Sequence, residues 1–470
     1  MSHRWRASPF PVGPSSFEAI WEVRPPASIA IIDGGVEITT RELRDEVDRV
    51  ARCLIGAGLR EGGRVLWLVG NEAASLISLL ATIRANGVWV AVDRRATAPE
   101  REAVIDDATP TLVLASLPVG DAAVDLPPSA EPGSIGAIAY TSGTTGRPKG
   151  VVHTTQQLLY PAAAAMETEG LDHRSRIGTP LSLATLNILL LGPLTALACG
   201  GTAVMLRRPD PLGFAEDVQR YLITRALVVP TIVQDLADAQ VDPAGLRSLD
   251  RLIMGGSGFD RERALSAQEQ LGVPVIASYG LSEAPTGVAR MTVGDVGARP
   301  LPGIDIHVEA DGEITLAPAE TGPWARCWSG AVAYWGQPDR ALWRNGRIHT
   351  GDVGRIDDHG LLHVEGRRSD MITRGGATIA PAEVERVIAA IDGVQDVAVF
   401  GVDDERLGQR VAAAIVGSVD ASDVRDAVRR RLSGYKVPET WFLLEQLPRN
   451  ANGKVDRRAL RSLDGPSQRT

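Results

Sequence analysis

Apolar residues along the first hundred and thirty positions recur with two alternating periods. Arg64-Val-Leu-Trp-Leu-Val69 is a continuous apolar run, which predicts a strand covered on both faces. Ala73 to Asn86 shows helical spacing that stops at Gly87, and Val88-Trp-Val-Ala-Val92 is a second buried strand. Pro99 to Ala108 is helical with proline near its start, and Thr111-Leu-Val-Leu114 is extended again. This β-α-β alternation predicts parallel sheets with helices on their faces and right-handed crossovers.

The pattern resumes beyond a Pro- and Asp-rich connection at Pro118 to Pro132. Ile135 to Ala139 reads as a strand and Thr154 to Glu169 as a helix. Ala226 to Pro230, Arg251 to Met254 and Pro274 to Ala277 read as strands, and Arg261 to Leu271 as an exposed helix. Ile188 to Leu206 carries no charge, but Gly192-Pro193 and Gly200-Gly201 interrupt it. A buried helix followed by a buried strand fits better than a membrane span. After Gly366 the texture changes. Pro381 to Ile391 is an amphipathic helix, Val394 to Gly401 and Gln409 to Val416 are strands, and Ser422 to Leu432 is a basic helix. The polar stretch Gly366 to Asp370 predicts a boundary between a large domain, residues 1–366, and a small α+β domain, residues 367–470.

Composition adds exclusions. A chain of 470 residues exceeds one compact core. The net charge of -9 and pI near 5.4 argue against a nucleic-acid surface and fit a cytoplasmic protein that binds anions locally. Cys53, Cys199 and Cys327 are odd in number and far apart, so no disulfide framework is expected. The histidines lack metal-ligand spacing, and His153 and His349 are read as structural. Met1 to Pro14 has no apolar core and predicts no signal peptide.

The chemistry begins at Tyr140-Thr-Ser-Gly-Thr-Thr-Gly-Arg-Pro-Lys-Gly150. Glycines bring backbone N–H groups close to an anion, while Thr141, Ser142, Thr144 and Thr145 add hydroxyls and Arg147 and Lys149 add charge. The spacing differs from a Walker A loop. The stretch resembles the phosphate loop of the AMP-forming adenylating enzymes, which include acyl- and aryl-CoA ligases, nonribosomal peptide synthetase adenylation domains and luciferases. Four further motifs follow in that superfamily's order, so the resemblance covers about residues 20 to 465.

The resemblance implies a fold and a set of roles. The fold is α/β, a large N-terminal domain of layered, mostly parallel sheets with flanking helices plus a small mobile α+β C-terminal domain. ATP binding falls to Thr141, Ser142, Gly143, Thr144, Thr145, Gly146 and Lys149. Gly255, Gly256 and Ser257 resemble the adenine-contacting turn, with a plain tight turn as the alternative. In Ser278-Tyr-Gly-Leu-Ser-Glu283, Tyr279 packs on adenine beside Gly280, Ser282 donates to the α-phosphate and Glu283 holds Mg²⁺, a hard cation that favours carboxylate oxygen. Asp352 of Thr350-Gly-Asp accepts from the ribose diol, with Arg355 and Arg367 nearby. Lys454, in Asn450-Ala-Asn-Gly-Lys454, is the catalytic cation on a long stem.

Gly375 and Gly376 resemble the pair lining a pantetheine tunnel, which points to coenzyme A as acceptor. Ala184, Thr185, Asn187, Gly280 and Gly287 form the implied acyl pocket; the 179–187 stretch is alternatively plain core helix. It lacks an aromatic or histidine gate and the Phe-Asp pair that would meet an α-amino group, so a fatty, branched or aryl acid is favoured over a standard amino acid. The hinge position, commonly Asp or Lys, holds Ser369 with Asp370 next. The expected function is ATP-dependent formation of acyl-AMP with release of pyrophosphate, then transfer to coenzyme A. Transfer to an acyl carrier protein, an amine or another small nucleophile is the alternative. A non-catalytic nucleotide-binding module is a further one, set against the retention of Glu283 and Lys454. The expected partners are a small carboxylic acid and CoA, with no nucleic acid and no membrane span, in a monomer or homodimer.

Overall fold

The computed structural model describes residues 10–141, 148–208, 210–255, 261–337, 342–375, 377–449 and 455–463, without the side chains of Thr286 and Thr378. The described residues form two compact units. The first takes those up to 255, 261–306 and 316–349; the second takes 307–315 and those from 350 onward.

Two of the sheets lie within the first unit. The larger has nine strands, in the spatial order Val36–Thr39, Ile29–Asp33, Thr202–Met205, Arg176–Thr179, Arg225–Val228, Arg251–Gly255, Val275–Leu281, Thr286–Thr292 and Arg299–Pro300. Its interior strands are parallel. Both edges turn antiparallel. The smaller sheet runs Leu112–Leu114, Arg64–Val69, Val88–Asp93, Ile135–Thr141, Lys149–Thr154 and Ala333–Tyr334. Its first four strands are parallel, as the alternating pattern predicts, and the last two are antiparallel.

The helix Ala73–Arg84 that crosses between Arg64–Val69 and Val88–Asp93 is buried almost all round. Its hydroxyls make that burial tolerable. Thr82 Oγ1 accepts from the Trp67 indole at 3.0 Å, and Ser78 Oγ accepts from the Trp89 indole at 2.9 Å, so two large buried rings keep their donors satisfied.

The uncharged stretch after Asn187 departs from expectation. Gly192-Pro193 does not break the helix. The α-helical turn Leu186–Leu189 passes into a π-helical turn, Leu190–Leu194, and returns to α-helix at Thr195–Ala198. Proline has no N–H to give, and a widened turn absorbs the gap. Side chains also bond to this turn: the Thr195 hydroxyl donates to Leu190 O at 2.7 Å and Arg225 Nη1 to Leu191 O at 3.3 Å. Arg225 is fully buried and lies 3.0 Å from Glu169, which also binds Arg290. Burial pushes the Arg225 guanidinium down to about 10, with Glu169 opposing. The segment is therefore buried helix then buried strand, as expected, with a different joint.

The second unit is α+β, also as expected. Strands Ala377–Ile379, Ile372–Arg374, Gly408–Gly417 and Val394–Asp404 lie in that order, and Thr440–Leu443 pairs parallel to Gly408–Gly417. Helices Pro381–Ala389 and Ala421–Arg429 cover one core built on Ile372, Ile379, Val384, Ile388, Val399, Val411, Val424 and Val428. Phe400 and Phe442, stacked at 6.0 Å, belong to a second core with Leu447 and Leu460. Among the described residues, no helix is long and apolar enough to cross a membrane.

Candidate active site

The hydroxyl-rich stretch is mounted on a hairpin. Ile135–Thr141 and Lys149–Thr154 pair antiparallel, with Thr141 opposite Lys149 and Tyr140 opposite Gly150. Ser142, Gly143, Thr144, Thr145 and Gly146 lie outside the described residues. The base of the hairpin is closely built. A Cβ on Gly150 would stand 2.7 Å from Ile138 Cγ2 and 3.0 Å from both Trp335 Cβ and Tyr140 Cζ, so only glycine lets the strands meet. The Tyr140 hydroxyl donates to Asp107 at 2.5 Å, and burial together with that carboxylate pushes its phenol upward. On the far side, Thr154 caps the helix Thr155–Glu169 in a capping box with Gln157.

His153, on the same strand, is fully buried. Burial drives its imidazole down to about 3, the Ser282 backbone opposing, so the ring is neutral. The described residues hold no cluster of three metal-ligating side chains.

The second motif is also a hairpin. The strand Val275–Leu281 runs through Tyr279 and Gly280 before reversing, and Thr286–Thr292 returns beside it. Gly280 pairs with Gly287 while Tyr279 pairs with Ala289, so one residue bulges between them. A Cβ on Gly287 would lie 2.4 Å from Ser278 Oγ, so a side chain here would have to turn that hydroxyl aside. Ser282 and Glu283 occupy the reversal and are half-buried. Gly255 ends the neighbouring strand opposite Ser278, and Gly256 and Ser257 lie outside the described residues.

A residue that the sequence pattern did not single out joins these hairpins. Tyr334 belongs to the two-residue strand Ala333–Tyr334, paired with Val152 and Val151. Its hydroxyl donates to Glu283 Oε1 at 2.9 Å, and Lys149 Nζ stands 5.8 Å from its ring centre. The structure thus brings Lys149 and Glu283, a phosphate-loop cation and an expected metal ligand, to opposite parts of one side chain.

In the substrate stretch, Thr185 is exposed and sits at the N-terminal cap of Leu186–Leu189, with Ala184 and Asn187 half-buried beside it. The Ala184 N–H donates to Ser182 Oγ at 3.3 Å.

The second unit holds the remaining set. Asp352, buried, faces Arg367 across two antiparallel strands, with Arg367 Nε 3.3 Å from Oδ1. Gly351 has φ +71°, and the Thr350 hydroxyl donates to Ile314 O at 2.7 Å, so the approach to Asp352 is bent and pinned. Arg355 is an odd number of positions away along the strand and does not join Asp352. It is exposed and lies 4.0 Å from Glu365. Ser369 and Asp370 form a short 3₁₀ turn, where the Ser369 hydroxyl donates to Asp370 at 3.3 Å and Arg457 stands 3.7 Å from the same carboxylate. Gly375 turns between its two strands with φ +56° and donates its N–H to Leu407 O at 2.7 Å. Gly376 and Lys454 lie outside the described residues.

Comparison with known proteins agrees with this assembly. Residues 17–131 and 118–323 match the family of AMP-binding enzymes, and residues 383–454 match the AMP-binding enzyme C-terminal domain. A feruloyl-CoA synthase of Amycolatopsis sp is 32% identical, over 93% of this chain and 96% of its own. The o-succinylbenzoate CoA synthetase MenE of Bacillus subtilis, in complex with its acyl-adenylate intermediate, superposes with a TM-score of 0.85 at 25% identity, covering 95% of this chain and 97% of its own. That enzyme is also known in complex with ATP and magnesium ion. The amide bond synthetase McbA of Marinactinospora thermotolerans gives a TM-score of 0.84 at 25% identity, covering 96% of this chain and 99% of its own.

Proposed function

This chain belongs to the AMP-binding enzyme family, and from that membership we propose how its residues divide an acid–thiol ligation between them. The reaction is activation of a carboxylic acid by ATP, giving acyl-AMP and pyrophosphate, then transfer of the acyl group to coenzyme A. The observation that carries the site is the Tyr334 contact, which sets Glu283 beside the phosphate-loop strand.

The donor set fits Mg²⁺: the Glu283 carboxylate is a hard oxygen ligand with lone pairs beyond the one taken by Tyr334. When bound, the ion would neutralise charge on the phosphates. The other roles belong to the chain itself. Lys149 and the hydroxyls around Thr141 hold the triphosphate, and Tyr279 supplies a flat surface for adenine. Ser282 donates to the α-phosphate. Asp352 accepts from the ribose hydroxyls, with Arg367 holding its carboxylate in place. Lys454, on the domain spanning 367–470, meets the charge that shifts onto the α-phosphate as the carboxylate attacks. Ser369 and Asp370 serve as the hinge between the 1–366 and 367–470 domains, and Gly375 and Gly376 leave room for pantetheine.

The acid we propose is aryl-bearing. Support comes from the relatives, whose named products and intermediates are feruloyl and succinylbenzoyl derivatives, and from the uncharged lining around Ala184 and Asn187. An amine acceptor is the second reading, favoured by the likeness to an amide bond synthetase. We place the enzyme in the cytoplasm, as a monomer or homodimer. The test is ATP–pyrophosphate exchange over a panel of aryl, fatty and amino acids, followed by mass analysis of products with CoA, a loaded carrier protein and amines. Exchange that answers to aryl acids, with a thioester of CoA as product, supports the assignment. Exchange with fatty acids alone, or amide as the only product, overturns the corresponding half.

A further inference from the structure

We propose that Tyr334 is a positioning residue for adenylation, its hydroxyl fixing the Glu283 carboxylate for the metal while its ring face holds the Lys149 ammonium apart for phosphate. The inference rests on the reading that Glu283 is the metal ligand.

The segment that carries Tyr334 is anchored to both partners at once. Ala331 N–H donates to Glu283 O at 2.7 Å, Val332 N–H to Val152 O at 2.8 Å, and Trp335 N–H to Gly150 O at 2.7 Å. Glu283 is thus tied to the phosphate strand through its own backbone as well as its side chain. Further bonds stiffen the tie. Gln157 Nε2 donates to Gly330 O at 2.6 Å and the Trp343 indole to Ala331 O at 2.8 Å. A Cβ on Gly330 would fall 3.1 Å from Glu283 O and 2.0 Å from Ile348 Cδ1, so glycine spares this approach a shift of the Ile348 side chain.

The chemistry explains why a phenol suits this place. A glutamate side chain turns about three bonds, and a single neutral donor is enough to choose one orientation without cancelling its charge. A cation in that place would neutralise the carboxylate and compete with the metal. Lys149 meets the aromatic face instead, a contact that does not pair the ammonium with the carboxylate. Tyr334 therefore keeps opposite charges oriented without letting them quench each other. Hydrogen-bond partners behind metal ligands commonly govern metal affinity by ten- to a hundredfold.

The test is Mn²⁺ titrated into the enzyme–ATP complex, free ion being read by electron paramagnetic resonance, with ATP binding in the absence of metal measured by calorimetry. Tyr334→Phe should weaken Mn²⁺ binding about tenfold and leave metal-free ATP binding within about twofold. Tyr334→Leu, which removes the ring as well, should weaken metal-free ATP binding further. Glu283→Gln should weaken Mn²⁺ at least as much as Tyr334→Phe, and the double variant no more than Glu283→Gln alone. Wild-type Mn²⁺ affinity in Tyr334→Phe, or losses that multiply in the double variant, would overturn the positioning role while leaving the metal assignment intact. Unchanged Mn²⁺ affinity in Glu283→Gln would overturn both.

Discussion

Arg367 and Asp352 occupy directly opposed positions on neighbouring antiparallel strands, one guanidinium nitrogen 3.3 Å from one carboxylate oxygen. The carboxylate is buried and the guanidinium is half exposed. Such a pair adds little to stability because one member is open to water. Its value lies in holding an acceptor at a fixed angle. Asp352→Asn should raise the ATP KM in pyrophosphate exchange about ten- to a hundredfold, the range for charge-assisted hydrogen bonds to a diol. The thermal midpoint should move little. An unchanged KM would remove Asp352 from the ribose site.

Lys454→Ala separates the two half-reactions. Loss of a preorganised charge at the transition state commonly costs about a hundred- to a thousandfold in rate, so adenylate formation should fall by that order. Thiolysis of a supplied acyl-adenylate by CoA should stay within a few fold. Equal loss of both steps would contradict the assignment of this lysine.

His153 predicts an acid-sensitive fold. Its imidazole sits at about 3 in the native protein because burial disfavours the charged ring, against about 6.5 in an unfolded chain. Between these values the unfolded chain binds a proton that the native one refuses. Stability from this group is therefore complete above about pH 6.5 and is lost as pH falls toward 3, by up to about 5 kcal/mol. Urea midpoints measured across that window should fall more steeply in the wild type than in His153→Leu. Parallel slopes would mean that the ring is protonated without cost.

Gly150→Ala tests the base of the phosphate hairpin. The added methyl would meet Ile138, Trp335 and Tyr140 at 3.0 Å or less, and overpacking of this kind costs about 1–3 kcal/mol. A lowered thermal midpoint together with reduced pyrophosphate exchange is expected. Full stability with full exchange would show that the hairpin yields without strain.

How far these features could be read from the chain depended on how local their cause is. Arg64–Val69 and Val88–Asp93 are continuous apolar runs, and their parallel pairing follows from the helix between them. Glu283 and Asp352 were legible because each stands in a short motif. Tyr334 was not. Its strand is two residues long, too short for any period, and its partner Glu283 lies 51 positions earlier. Nor does the serine- and glycine-rich sequence around Tyr279 announce the cross-strand pairing that carries its strand on to Leu281. Gly192-Pro193 reads as an interruption for a similar reason: local propensity cannot foresee that a wider turn carries the helix past Pro193.

That wider turn stores one residue more than regular winding needs. An α-helix advances about 100° per residue, so a surplus left in regular winding would turn Thr195–Ala198 by that angle relative to Leu186–Leu189. Removing one position from 190 to 194 would let the coil rewind as regular α-helix with the later side chains still on the faces they occupy now. The widened turn thus takes up the surplus locally, so the apolar faces of Leu186–Leu189 and Thr195–Ala198 stay in step although one residue more lies between them.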